Sequence, residues 1–337
     1  MASLTRFDNR DIVNDTSRVT TSTWTSNTNE LTAVYTSSAQ AALGSPTGSG
    51  AHFIDVHLDA TTSSVQYSIA YGHKAGSGSE DFTSGTGGEG KSPSRNIYSQ
   101  YRQLVFGTET QNFNFTDYTP DDIYVININR ANYKHNLKPG SLNLTLSGSG
   151  GILYLTDDSI TATGSSTITN VGRQFNIVSG SSGVRLGATT VQVSDSGSYG
   201  FFYPDSGFMV LNPDALDHTI SALVPVTGQD NQDDNHVKLL NAIGGGTSFI
   251  VDSEEKISST YYFARARNHE YNYTTNPSFT DNSGNVLINS MIDNPTVYIT
   301  TVGMYNDSGD LLAVAKLSQP VTKDFTKESL IRVKLDY

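Results

Sequence analysis

Apolar residues recur at every second position in runs too short for helices, and Gly, Asn, Asp and Pro cut these runs apart. That punctuation limits the chain to short strands joined by tight turns. Ile54, Val56 and Leu58 lie on one face of 53–58, Leu142, Leu144 and Leu146 on one face of 142–146, and Ile331, Val333 and Leu335 on one face near the C-terminus. The run Ile123-Tyr124-Val125-Ile126-Asn127-Ile128 is apolar almost throughout, as in a strand buried on both faces. Asn306-Asp307-Ser308-Gly309-Asp310 and Asp281-Asn282-Ser283-Gly284-Asn285 have hairpin-turn chemistry. The expected fold is mainly β, with antiparallel sheets in sandwich-like domains, one or two short helices and a small inserted β-unit.

Two segments depart from the strand pattern. Ser92 can cap and Pro93 can open a helix carrying Ile97, Tyr101, Leu104 and Val105 on one face, ended by Gly107. A second helix is expected over 233–243, with Val237, Leu240 and Ile243 inward and Gly244-Gly245-Gly246 as its stop. Texture along the chain suggests five parts. They are an extended arm (1–50), a β-rich domain with one helix (51–147), a Gly-rich β-insertion (148–207), a connecting segment with a short helix (208–256) and a C-terminal antiparallel domain (257–337). In the last part, strands near 260–267, 296–305, 311–317 and 330–335 are expected to share one domain, with Ile299 and Val314 buried.

Composition narrows function more than fold. With no Cys among 337 residues there can be no disulfide, thiolate metal site or cysteine nucleophile. Asp plus Glu outnumber Lys plus Arg by 33 to 21, a formal charge of −12, so no nucleic-acid partner is expected. No apolar stretch reaches the roughly 18 residues of a membrane helix, and the first thirty residues lack a secretion signal. No membrane partner is expected, and synthesis in a cytoplasm is.

Catalytic patterns are sparse. The seven histidines lack the spacing of a zinc hydrolase, and no Ser sits in a nucleophile turn. Gly85-Thr86-Gly87-Gly88-Glu89-Gly90-Lys91-Ser92 fits the phosphate-loop spacing, but it follows a polar segment rather than a buried strand and is read as a loop ending in a helix cap. Asp121/Asp122, Asp157/Asp158 and Asp233/Asp234 are sequence neighbours, which point to opposite faces of a strand and suit turns. Asp230 to Asn235 offers oxygen donors but lacks the glycine and distal Glu of a calcium loop. No catalytic residue, metal site or cofactor is assigned, and the expectation is a protein that is not an enzyme. The contact residues expected are Tyr261, Phe263, Arg265 and Arg267, which share one face if 261–267 is a strand.

Several segments resemble structural proteins of T-even-like contractile-tailed phages, especially those of cyanobacteria. They are Tyr71-Gly72-His73-Lys74-Ala75-Gly76, Ile97-Tyr98-Ser99-Gln100-Tyr101, Phe201-Phe202-Tyr203-Pro204-Asp205, Ala264-Arg265-Ala266-Arg267-Asn268 and Tyr298-Ile299-Thr300-Thr301-Val302-Gly303-Met304-Tyr305-Asn306. The likeness covers roughly residues 65–337. It implies a virion protein, at the baseplate or tail periphery, that works through interfaces with other virion proteins in a multi-copy, symmetric assembly. The alternatives are a head-neck or collar component and a receptor or carbohydrate-binding tail protein.

Overall fold

The structure is a computed structural model that describes residues 5–24, 30–31, 35–36, 53–57, 64–76, 94–160, 167–186, 197–221, 235–246, 248–272, 274 and 276–337. The phosphate-loop match at 85–92 and most of the expected arm beyond residue 24 lie outside them.

The first strands in chain order are β1 (Ile12–Ser22), β2 (Glu30–Leu31), β3 (Tyr35–Thr36), β4 (Phe53–His57) and β5 (Val65–His73). After helix α1 (Ser94–Phe106) come β6 (Asp122–Ile128), β7 (Asn136–Leu137), β8 (Asn143–Gly148), β9 (Gly151–Asp157), β10 (Thr167–Thr169), β11 (Gly172–Ser181) and β12 (Val184–Arg185). Then follow β13 (Gly200–Tyr203), β14 (Phe208–Leu211), α2 (Pro213–Ile220), α3 (Asn235–Gly246), β15 (Phe249–Ile250) and β16 (Asp252–Ala266). The chain closes with β17 (Val297–Tyr305), β18 (Leu311–Lys323) and β19 (Ser329–Asp336). The mainly β, antiparallel expectation holds, with three short helices. Two compact units form, one of residues 19–255 and one of residues 1–18 with 256–337.

The larger unit is built on one long curled sheet with the order β2-β15-β8-β9-β11-β13-β14-β6-β5-β4-β3. Strands β13 and β14 and most of β6 are buried on both faces, in keeping with their nearly continuous apolar sequences. From β6, Tyr124, Ile126 and Ile128 join one core while Ile123 and Val125 join the other. The first core lies on the sheet face covered by α2 and α3, where Ala215, Leu216, Val237, Leu240 and Ile243 meet Leu144, Leu155 and Ile177. Trp24 completes it, with its indole Nε1 donating to the Phe249 carbonyl at 3.0 Å and its ring 5.0 Å from that of Phe249. The second core lies under α1 and is largely aromatic: Phe115 stacks on Phe201 at 4.8 Å and Tyr203 on Phe208 at 4.7 Å. Such ring pairs add about 0.5–1.5 kcal/mol each beyond their buried area. Gly72 permits the close approach of β5 to α1, since a Cβ there would sit 2.8 Å from the Tyr98 nitrogen.

Three expectations are corrected in this unit, and one helix is additional. Residues 148–207 do not form a separate insertion: β9 pairs with β8 and β11, β11 with β13, and β13 with β14, so they are successive members of the main sheet. Among the glycines that gave this stretch its texture, Gly172 and Gly183 take φ of +105° and +75° beside the ends of β11, whereas Gly180 and Gly200 lie within strands. Helix α3 does not stop at Gly244 but runs to Gly246, where a Cβ would lie 1.9 Å from the Thr145 carbonyl. Gly246 thus answers a packing demand, while Gly244 has open space around it. On α1 the inward residues are Tyr98, Tyr101 and Val105, whereas Leu104 is exposed. Helix α2, eight residues capped by Asn212, was not expected, because two turns are too short for periodicity to register.

In the smaller unit β16 pairs with β19, placing Tyr262 opposite Val333 and Thr260 opposite Leu335, and β1 lies on the other side of β16. Thr260 Oγ1 donates to Asn14 Oδ1 at 2.9 Å. Among the described residues, strands β17 and β18 pair only with each other. The expected C-terminal strands therefore form two ladders instead of one sheet.

Candidate assembly surface

The β17–β18 hairpin follows from its turn. Asn306 accepts from the Gly309 nitrogen at 3.1 Å through its carbonyl and from the Asp310 nitrogen at 2.7 Å through Oδ1. Gly309 takes φ of +86°, a conformation that costs glycine nothing sterically. The register puts Val302 opposite Ala315, Met304 opposite Ala313, Gly303 opposite Val314 and Tyr305 opposite Leu311.

Burial along this hairpin is uneven. Met304 is buried and Val302, Ala313 and Ala315 are half-buried. Tyr298, Leu312 and Val314 are 63%, 69% and 57% exposed, and Tyr305 and Leu311 are exposed beside them. The expectation that Val314 is a core residue is therefore wrong, and Ile299 is only half-buried. The run Leu311-Leu312-Ala313-Val314-Ala315 is apolar on both faces of its strand, and among the described residues nothing covers Leu312 and Val314 on one of them. Full burial of a Leu, Val or aromatic side chain is worth about 1.5–3 kcal/mol. A two-stranded ribbon is marginal in water by itself, and clustered exposed apolar groups mark contact sites.

Charge separates the two units. The smaller one carries eleven basic and eleven acidic residues and is formally neutral. The larger one carries ten against twenty-two, so the whole net charge of −12 resides there.

Tyr261, Phe263 and Arg265 fall on one face of β16, opposite Lys334, Arg332 and Leu330 of β19. Tyr261 is half-buried, with the Arg332 guanidinium 5.3 Å and the Lys334 ammonium 6.0 Å from its ring centre. Phe263 is half-buried and Arg265 is exposed. Arg267 lies beyond the ladder. The strand ends at Ala266, and Arg267 opens a turn in which its nitrogen donates to Glu270 Oε2 at 2.9 Å. The structure thus groups three of the four expected contact residues with the cations of β19. The exposed apolar residues of β17 and β18 were missed; the unbroken apolar run at 311–315 was the signal that could have identified them.

A buried lysine organises the adjoining loop. Lys323, at the end of β18, is fully buried and donates to the carbonyls of Asn268, at 3.1 Å, and Glu270, and to Asn272 Oδ1 at 2.7 Å. Burial lowers its pKa. Three acceptors satisfy its three donors and fix the loop after β16.

The carboxylate pairs perform local structural tasks. Asp157 accepts from the Gly140 nitrogen at 2.7 Å, and Asp158 from the Asn176 nitrogen at 2.9 Å. Asp122 accepts from the Tyr71 hydroxyl at 2.9 Å. Of the calcium-like run, residues 230–234 lie outside the described residues. Among the described residues, no three His, Asp or Glu side chains gather as a metal set. No family model, curated protein or solved structure matches the chain.

Proposed function

We propose that this chain is a structural component of a contractile-tailed phage virion, at the baseplate or tail periphery, made in the host cytoplasm and working by contact rather than turnover. The observation that carries this reading is the neutral smaller unit, whose β17–β18 hairpin exposes Tyr298, Leu312 and Val314. A neutral apolar surface can meet other virion proteins, or further copies of itself, without the repulsion that a charge of −12 would impose. The cations beside Tyr261 supply Arg and Tyr groups of the kinds that dominate interface energetics. The phage resemblance of residues 65–337 supplies the particle.

The test is incorporation. A Leu312→Asp/Val314→Asp chain supplied during particle assembly should be folded yet absent from purified particles. Normal incorporation and infectivity of that variant would remove the hairpin as the assembly surface. Hydrolysis of a host polysaccharide or a nucleoside triphosphate by the purified chain would overturn the non-enzymatic reading.

A further inference from the structure

A cleft of about 550 Å³ opens in the larger unit, between the C-terminal end of α1, the 111–114 segment and the β10–β11 turn. Its size falls within the roughly 300–1,000 Å³ of ligand clefts. Five of its lining side chains are amides: Gln111, Asn112, Asn114, Asn170 and Gln174. Phe106 and Phe201 supply ring surface, and the highly exposed Ile168 stands at the rim. None of the lining residues is charged.

Two of the amides are held by groups behind them. Gln174 Oε1 accepts from the Tyr203 hydroxyl at 3.0 Å, which commits its carbonyl and leaves its NH₂ group to donate. Asn112 Oδ1 receives the Tyr98 hydroxyl and the Arg102 guanidinium, each at 3.5 Å, so its NH₂ group is left in the same way. Both supporting tyrosines belong to the rigid aromatic core beneath α1. The side chains are thus oriented before any ligand arrives, which lowers the cost of binding.

The composition of the cleft selects a ligand class. A phosphate or carboxylate ligand would need a cation, and the lining offers none. An apolar ligand would strip water from five amides and return no hydrogen bonds, at about 1–3 kcal/mol for each buried unpaired group. A sugar suits both halves of the lining. Its hydroxyls donate and accept, as amides do, and its C–H face lies against an aromatic ring. We infer that this cleft binds a neutral carbohydrate, in a segment the size of a di- or trisaccharide. The inference stands apart from the assembly surface, which lies in the other unit, so either can fail alone.

The experiment is saturation-transfer NMR on the full chain with maltotriose, cellotriose, mannotriose and chitotriose at millimolar concentration, with trigalacturonate as an acidic control. At least one neutral sugar should bind, with an affinity that does not change between low and high salt, because no ion pair is involved. Asn170→Leu and Gln111→Leu alter exposed side chains and should leave the thermal melt unchanged. Each should weaken binding about tenfold, which corresponds to roughly 1.4 kcal/mol. Three results would overturn the assignment: no neutral sugar bound, binding unchanged in both variants, or tighter binding of trigalacturonate that falls with salt.

Discussion

Replacing Asp122 with Asn should stabilise the larger unit at alkaline pH and leave it unchanged in acid. Asp122 opens β6, is 7% exposed and accepts the Tyr71 hydroxyl at 2.9 Å. Burial pushes its carboxyl up to about 7; the Tyr71 hydrogen bond opposes the rise, and the charges of Asp214 and Asp121 add to it. The unfolded chain loses this proton near the usual 3.8, whereas the folded chain keeps it until about 7. Between those values the folded state holds more protons, so stability falls as pH rises through the window. Each pKa unit corresponds to about 1.36 kcal/mol, so the full loss is on the order of 4 kcal/mol above pH 7. Asparagine keeps an acceptor for Tyr71 and never ionises. His73, whose pKa is lowered mainly by its burial, works in the opposite sense, but it is present in both proteins and leaves the difference between them to Asp122. The chain's single Trp, Trp24, lies in the core of this unit, so its fluorescence during urea unfolding reports the relevant transition. The two proteins should unfold alike near pH 4 and diverge by a few kcal/mol near pH 8. Parallel profiles at all pH values would show that Asp122 is not held protonated by burial, and the reasoning would fail.

Other substitutions probe the packing. Lys323→Ala should destabilise the smaller unit by about 1–3 kcal/mol, read by differential scanning calorimetry, because three acceptors, the buried Asn272 Oδ1 among them, lose their donor. Val314→Asp should change stability by no more than about 0.5 kcal/mol, as at any exposed site, whereas Val125→Asp should abolish folding, as read by circular dichroism. Gly246→Ala should lower the melting temperature of the larger unit, since its methyl group would meet the Thr145 carbonyl at 1.9 Å and α3 would have to move off β8.

The sequence reveals the ladders more readily than their arrangement. Alternation identified β8, β16 and β19, and the continuous apolar run identified β6 as a two-faced strand, because these patterns follow from side chains repeating every second residue. Pairing across distance leaves no such mark. Nothing in 151–157 or 172–181 announces that these strands continue the sheet of 122–128, so their glycines read as a separate module. The same holds for the contact surface. Arg265 and Tyr261 were legible by type and spacing, but whether Val314 faced a core or solvent depended on a neighbouring strand that the sequence could not place. The amide-lined cleft was invisible for a related reason, since its five amides come from two stretches, 111–114 and 170–174, that lie far apart in the chain.

Hydroxyl-radical footprinting of Tyr298, Leu312 and Val314 reports whether the neutral unit works by contact through its hairpin. The free chain and the chain within purified particles would be labelled side by side and read by mass spectrometry. All three should oxidise readily in the free chain, in keeping with their exposure, and be markedly protected in the particle. Equal labelling in both states would mean that the hairpin is not a contact surface.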